Sequence, residues 1–313
     1  MAEPHGQPND DAMNAMKAHL EEALAAGCVG FSVGLAYPTG NVAPTEELIE
    51  LAQVTAGYGG LYVTHMRNES DHVEQSVEES LRIGRDGGVP VVISHHKCGG
   101  KANWGKSEKT LALIDAAIAN GQSVHLDVYP YTASSTGLMA NFAKVAERVL
   151  VTEADGAPDQ AGCYLDEIMA DWDCELEAAV DRLLPAKAVY FQMSDQDLDR
   201  ILAHPYCMVG SDGMPSDAHP HPRLWGTFPR VLGHYARHRK LFELGQAVRK
   251  ITALPAECFG LADRGRIAVD MVADLVLFDP DKIIDRATYE MPERVSQGVE
   301  MVIAGGNVRY QAQ

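Results

Sequence analysis

The stretch Leu61–Lys97 reads LYVTHMRNESDHVEQSVEESLRIGRDGGVPVVISHHK, and its reading decides the fold. It opens with the short apolar run LYVTH and passes through a carboxylate-rich segment whose apolar residues recur at helical spacing. It closes on VPVVIS, a run of β character directly ahead of His95. A strand, a helix and a strand joined by a crossover of this length make a βαβ unit, whose two strands must run parallel. His65 and His95 end those strands, so both imidazoles are expected on the same carboxyl edge of one sheet. Two imidazoles converging on one rim point to a metal site.

Working outward, Asp11–Ala26 carries apolar residues at helical spacing with Gly27 as its stop. Val29–Leu35 (VGFSVGL) suits a buried parallel strand, and Thr45 with Glu46 and Glu47 opens a helix to about Ala56. Downstream, Lys97–Gly105 is a Gly-rich loop, and Ser107–Asn120 a helix with a serine cap. Gln122–Tyr129 is a strand with Pro130–Thr136 as its exit loop. AVYFQM and CMVGS read as two more strands around a helix beginning near Asp195, and Glu243–Leu254 is a helix stopped by Pro255. Strand, loop and helix thus repeat about six times, which predicts a parallel α/β fold whose common enzyme form is the (β/α)8 barrel. Residues 1–10 are expected to be a disordered leader and 11–264 a partial barrel of such units. An acidic insertion at 137–186 should pack as helices over its mouth or side. Residues 265–313, with RGRIAVDMVADLVLFDP and VEMVIAGGNVRY, are expected to form a small β appendage of hairpin strands.

Composition excludes several classes of function. With 313 residues, 46% hydrophobic and 22% charged, the chain can bury a large core and has ordinary globular proportions. A net charge of -18 leaves no basic field to meet phosphates, which argues against a nucleic-acid partner. No window approaches the ~20 apolar residues of a membrane span. MAEPHGQPNDD lacks the apolar core of a signal peptide, so a cytoplasmic protein acting on a small molecule is expected. The six cysteines (Cys28, Cys98, Cys163, Cys174, Cys207, Cys258) form no CxxC pair, which reads as reduced thiols. Cys98, just after HHK, is the one placed to face the site.

His65 and His95, with Asp212 just past a third strand end, give nitrogen and oxygen donors suited to Zn2+. Asp212, in GSDGMP, is also the general-base candidate, while an aspartate ahead of Gly213 equally suits a tight turn. His96 should alternate away from the site and serve the structure. Arg223, in HPRLWGTFPR, has the fork that grips a carboxylate. Lys97, Tyr129 and Ser135 sit on strand-exit loops that could line the same pocket.

These residues lie in segments that resemble the D-aminoacylase group, the N-acyl-D-amino-acid deacylases of the zinc-dependent amidohydrolase superfamily. The segments are GCVGFSVGLAYPTG, THMRNE, VPVVISHHK, NWGKS, DVYPYTASST, GSDG with HPRLWGTFPRVLGHY, and ADLVLFDP, in order from about Asp11 to the C-terminus. The resemblance implies a TIM barrel with a small β-sandwich domain, a zinc cofactor, and hydrolysis of an N-acyl-D-amino acid to a carboxylate and a D-amino acid. It implies that His65 and His95 are zinc ligands and Asp212 the catalytic aspartate. Arg223 and Lys97 would engage the substrate carboxylate, with Tyr129 and Ser135 in the pocket.

The chain also departs from that pattern. The HxH pair and the further metal-binding residue, typically cysteine, that open the family's barrel have no counterpart ahead of His65. Val269 and Asp270 stand where a Pro-Gly turn usually precedes ADLVLFDP. An incomplete barrel is therefore expected, with open edges through which copies could associate. Three readings follow: a zinc deacylase, a catalytically impaired scaffold, and a D-hydantoinase-like amidohydrolase.

Overall fold

In a computed structural model, residues 6–215 and 218–312 are described. Of the expected leader, residues 1–5 fall outside them, and the first helix begins at Asp10. In chain order the strands are β1 (Gly30–Gly34), β2 (Leu61–His65), β3 (Val91–Ile93), β4 (Val124–Val128), β5 (Ala133–Gly137) and β6 (Arg148–Ala154). They continue with β7 (Ala186–Phe191), β8 (Cys207–Val209), β9 (Leu275–Phe278), β10 (Val299–Ala304) and β11 (Asn307–Gln311). Five of them, in the order β1-β2-β3-β4-β8, make one sheet, all parallel.

The opening βαβ unit is there as read. Helix Val73–Gly87 buries Val73, Ser76, Val77, Ser80, Leu81, Ile83, Gly84 and Gly87, a stripe of three- and four-residue steps, and turns its charged residues outward. It ends at Gly88, which takes the left-handed conformation (φ 72°) that closes a helix and is open to glycine without strain. β3 is apolar and buried throughout, as a parallel strand covered on both faces must be. Tyr62, Ile83, Ile93 and Leu126 share the main core, each contributing about 1.5–3 kcal/mol by leaving water.

Register decides where the chemistry sits. Thr64, Ile93 and Leu126 pair in one row across β2, β3 and β4. The next row toward the carboxyl edge therefore holds His65, Ser94 and Asp127, whose side chains share the opposite face of the sheet. This periodicity puts His65 at the rim.

Several expectations need correcting. AVYFQM is not a strand of the parallel sheet: β7 pairs antiparallel with β5 and β6 in a separate three-stranded sheet, so five strands rather than six run parallel. The segment read as an exit loop supplies β5, placing Ser135 in a strand opposite Val189. The insertion is not purely helical, since β6 stands ahead of helices Leu165–Trp172 and Leu176–Leu183. Strand propensity cannot reveal a pairing partner, whereas the structure shows one, with Glu153 and Lys187 directly opposite in register and 3.0 Å apart as an ion pair.

Three local readings also change. Ser107 lies inside its helix rather than capping it, because its hydroxyl is drawn to Asp197. Pro255 does not stop its helix. The break comes at Thr252, and Pro255 sits in the first turn of the next helix, where its missing N–H is harmless. Within RGRIAVDMVADLVLFDP only Leu275–Phe278 is a strand. It joins β10 and β11 in an antiparallel sheet, where Gly305 and Gly306 (φ 55° and 76°) provide the hairpin turn.

Candidate metal centre and active-site cavity

A cavity of about 610 Å³ opens at the carboxyl edge of the parallel sheet. All seven residues singled out from the sequence, His65, His95, Lys97, Tyr129, Ser135, Asp212 and Arg223, line it. Phe142, Val145, Gln192 and Glu153, from the insertion and its sheet, form the outer wall.

At its floor, His65, Glu69 and His95 each offer a ligand atom, and these atoms lie within 4.8 Å of one another. The two rings meet edge to face at 4.4 Å. Glu69 Oε1 stands 2.9 Å from His95 Nδ1, and Glu69 Oε2 3.5 Å from His65 Nε2. Glu69 is the residue that the sequence reading missed. It lies in the loop between β2 and the following helix, and its only signal was a carboxylate four residues past a strand-end histidine.

The electrostatics suit a divalent cation. Burial drives the His65 imidazole down to about 4, so it is neutral at pH 7, the form a metal requires. His65 Nε2 is buried with no hydrogen-bond partner among the described residues. Burial alone would raise the Glu69 carboxyl, but His65, Lys97 and His95 outweigh it and hold the group well below the ordinary carboxylate range. Lys97 Nζ donates to Glu69 Oε1 at 2.6 Å and lies 2.7 Å from His95 Nδ1. Two imidazoles and one ionised carboxylate are a donor set that fits zinc.

Asp212 is not in this cluster. It stands half-exposed on the rim in the left-handed conformation (φ 49°), with Oδ2 3.0 Å from Arg223 Nη1. Arg223 is 1% exposed and lies with its guanidinium carbon 4.5 Å from the centre of the Tyr129 ring. Its Nη2 donates to the Ser135 carbonyl at 3.1 Å, so Ser135 acts here through its backbone. Nε and Nη1 make no geometrically sound hydrogen bond among the described residues, nor does the buried Tyr129 hydroxyl. Burial keeps that phenol protonated and therefore a donor.

The helix Arg223–Arg230 starts at the guanidinium's own residue, and His221 holds its first turn. His221 Nδ1 accepts from the Arg223 N–H at 2.9 Å, while Nε2 donates to the Ala133 carbonyl at 3.0 Å. Burial holds this imidazole neutral, with Arg223 adding to the effect. One orphan N–H of the helix start is thereby satisfied.

Two neighbours do not take part. His96 is fully buried on Thr110 at 2.8 Å, away from the cavity as alternation suggested. Cys98, expected to be able to face the site, packs in the core instead, and burial pushes its thiol up to about 12.

The chain thus presents a parallel sheet with two imidazoles and a carboxylate that could hold a cation at its carboxyl edge. The chain is a member of the amidohydrolase family, whose model matches residues 6–310. Within that family it is similar to D-aminoacylases. It is 51% identical over 306 residues to an N-acyl-D-glutamate deacylase of Alcaligenes xylosoxydans xylosoxydans, covering 98% of this chain and 63% of that protein. A D-aminoacylase of the same organism is 47% identical over 304 residues, covering 97% and 63%. The crystal structure of N-acyl-D-glutamate deacylase from Bordetella bronchiseptica, complexed with zinc and a phosphonate mimic of the tetrahedral intermediate, superposes with a TM-score of 0.97. It is 48% identical and covers 99% of this chain and 65% of that one. The chain thus spans under two thirds of the length of the relatives it matches.

Proposed function

We propose that the chain carries the substrate and metal wall of a zinc-dependent hydrolase that cleaves the amide bond of N-acyl-D-amino acids. We assign its parallel sheet to a (β/α)8 barrel (residues 11–264, with the insertion at 137–186) and residues 265–313 to a small β-sandwich domain. The observation that carries the reading is convergence. Strand-end imidazoles, a buried carboxylate, a buried arginine with undonated N–H groups and a rim aspartate line one cavity. Relatives named for N-acyl-D-glutamate and N-acyl-D-aspartate support the substrate class.

His65, Glu69 and His95 would hold the zinc. When bound it supplies Lewis acidity, polarising the scissile carbonyl and acidifying water. Asp212 takes a proton from the attacking water and delivers it to the departing nitrogen, so the C–O bond forms as the C–N bond breaks. The Arg223 guanidinium would meet the substrate α-carboxylate, with Nε undonated and Nη1 now beside Asp212, and the Tyr129 hydroxyl adds a further donor. His65, Lys97 and His95 together hold the Glu69 carboxyl down, and Lys97 donates to it directly. The carboxylate contact implied for Lys97 by the resemblance requires it to exchange that partner.

Metal analysis of the purified chain with an assay on N-acetyl-D-glutamate and N-acetyl-D-methionine tests the reading. Zinc near one equivalent with release of the D-amino acid is expected. Less than about a tenth of an equivalent together with no deacylation leaves the scaffold reading in its place. Asp212→Asn should lower kcat by roughly 10²–10⁴ with little change in KM. Full activity in His95→Ala would remove the ligand assignment.

A further inference from the structure

His95 is one of two cavity residues other than glycine, Asp212 being the second, held at positive φ (39°) among the described residues. Left-handed backbone is strained for a residue with a Cβ, and it persists only where the surroundings over-determine it. The surroundings here are Asp127, in β4. Its Oδ1 accepts from the His95 N–H at 2.8 Å and its Oδ2 from the Ser94 hydroxyl at 3.0 Å. Its backbone carbonyl accepts from the His96 N–H at 2.8 Å. Three consecutive residues are thus pinned to one aspartate, on both sides of the strained position.

The ladder explains why. Ser94 N–H still donates to the Thr64 carbonyl at 3.1 Å, continuing the β2–β3 pairing. At His95 the chain leaves the ladder, and its N–H turns to a side chain instead. The next N–H returns to β4. Gly210 gives the carboxylate room, since a Cβ there would stand 3.2 Å from Asp127 Oδ1. Asp127 does not line the cavity, and its hydrogen bonds to this stretch go to the Ser94 hydroxyl and to the His95 and His96 backbone N–H groups.

We propose that Asp127 is a positioning residue that sets the left-handed turn at His95 and so aims its imidazole at the same point as His65 and Glu69. The inference rests on the metal reading above. A side chain that fixes the direction of a ligand should act on metal affinity more than on folding.

The test is zinc affinity of the purified 313-residue chain, measured by competition with a chromophoric chelator, alongside its thermal melt after chelator treatment. Asp127→Ala should weaken zinc binding about 10–100-fold. Asp127→Asn keeps one carbonyl oxygen for the His95 N–H and should lose less than about tenfold. Ser94→Ala removes only the hydroxyl and should stay within about threefold of the parent. If Asp127→Ala fails to fold, the order Ser94→Ala tighter than Asp127→Asn decides the matter. Unchanged affinity in a folded Asp127→Ala protein, or a lower melting temperature with unchanged affinity, overturns the proposal. A parent chain that binds no zinc overturns the metal reading beneath it.

Discussion

At the scale of single residues, burial separates groups that look alike in sequence. Arg223 offers an exposed arginine's chemistry from a 1% exposed position, fixed by the Tyr129 ring beneath it and the Ser135 carbonyl beside it. Arg223→Lys keeps the charge but loses the planar fork. A KM for the N-acyl-D-amino acid raised at least tenfold (~1.4 kcal/mol), with kcat less affected, is expected. An unchanged KM would take Arg223 out of carboxylate binding. The cysteines divide in the same manner. Cys28 is exposed, whereas burial pushes the thiols of Cys98 and Cys207 up to about 12. Iodoacetamide at pH 8 should therefore alkylate Cys28 in the native protein and spare Cys98 and Cys207 until denaturant is added, as read by peptide mass spectrometry. Alkylation of native Cys98 at the rate of Cys28 would return it to the cavity.

At the scale of elements, the helix Val73–Gly87 shows how tightly the βαβ unit is packed. A Cβ on Gly84 would stand 2.1 Å from Val91 Cγ2 and 3.1 Å from the Val89 carbonyl oxygen. Alanine would gain up to ~1 kcal/mol of helix propensity. Overpacking the strand behind it costs about 1–3 kcal/mol, and both neighbours are held by the core. Gly84→Ala is thus expected to lower the urea midpoint, and a raised midpoint would show that β3 yields easily. This unit was legible because period-3.6 and period-2 patterns lie side by side in one stretch, and from it followed His65 at a strand end and His95 near one, though β3 stops at Ile93, two residues short of it. Glu69 was not legible, since a loop residue has no period and its approach to His95 depends on how the loop closes. Nor was the sheet of β5, β6 and β7. Only β7 read as a strand, while β5 fell in a segment read as an exit loop and β6 in one read as helical; pairing is a long-range choice, and the alternation of units made the parallel sheet the nearer inference for β7.

At the scale of the whole molecule, the described helices include none long and apolar enough to cross a membrane. What the fold does instead is bury neutral histidines at several points, and that links its stability to pH. Burial brings His65 and His96 each to about 4 in the native state, against ~6.5 in an unfolded chain, and holds His221 well down too. Between those values the unfolded chain binds more protons than the native one. Their contribution is therefore complete above about pH 6.5 and is lost as pH falls toward 4, at up to ~1.4 kcal/mol per pH unit for each group. The net charge of -18 pulls the other way, because acidification relieves repulsion among exposed carboxylates. That opposing effect is long-range and screened within about 8 Å at physiological salt, whereas the histidines are buried. In buffered salt, the urea midpoint of the chelator-treated protein should fall steadily from pH 6.5 to pH 4.5. His96→Gln, which replaces a buried imidazole outside the metal cluster, should flatten the slope by the equivalent of about one proton even where it lowers stability overall. A midpoint that stays level across this range, or a His96→Gln slope equal to the parent's, would mean that the native state admits these protons without opening.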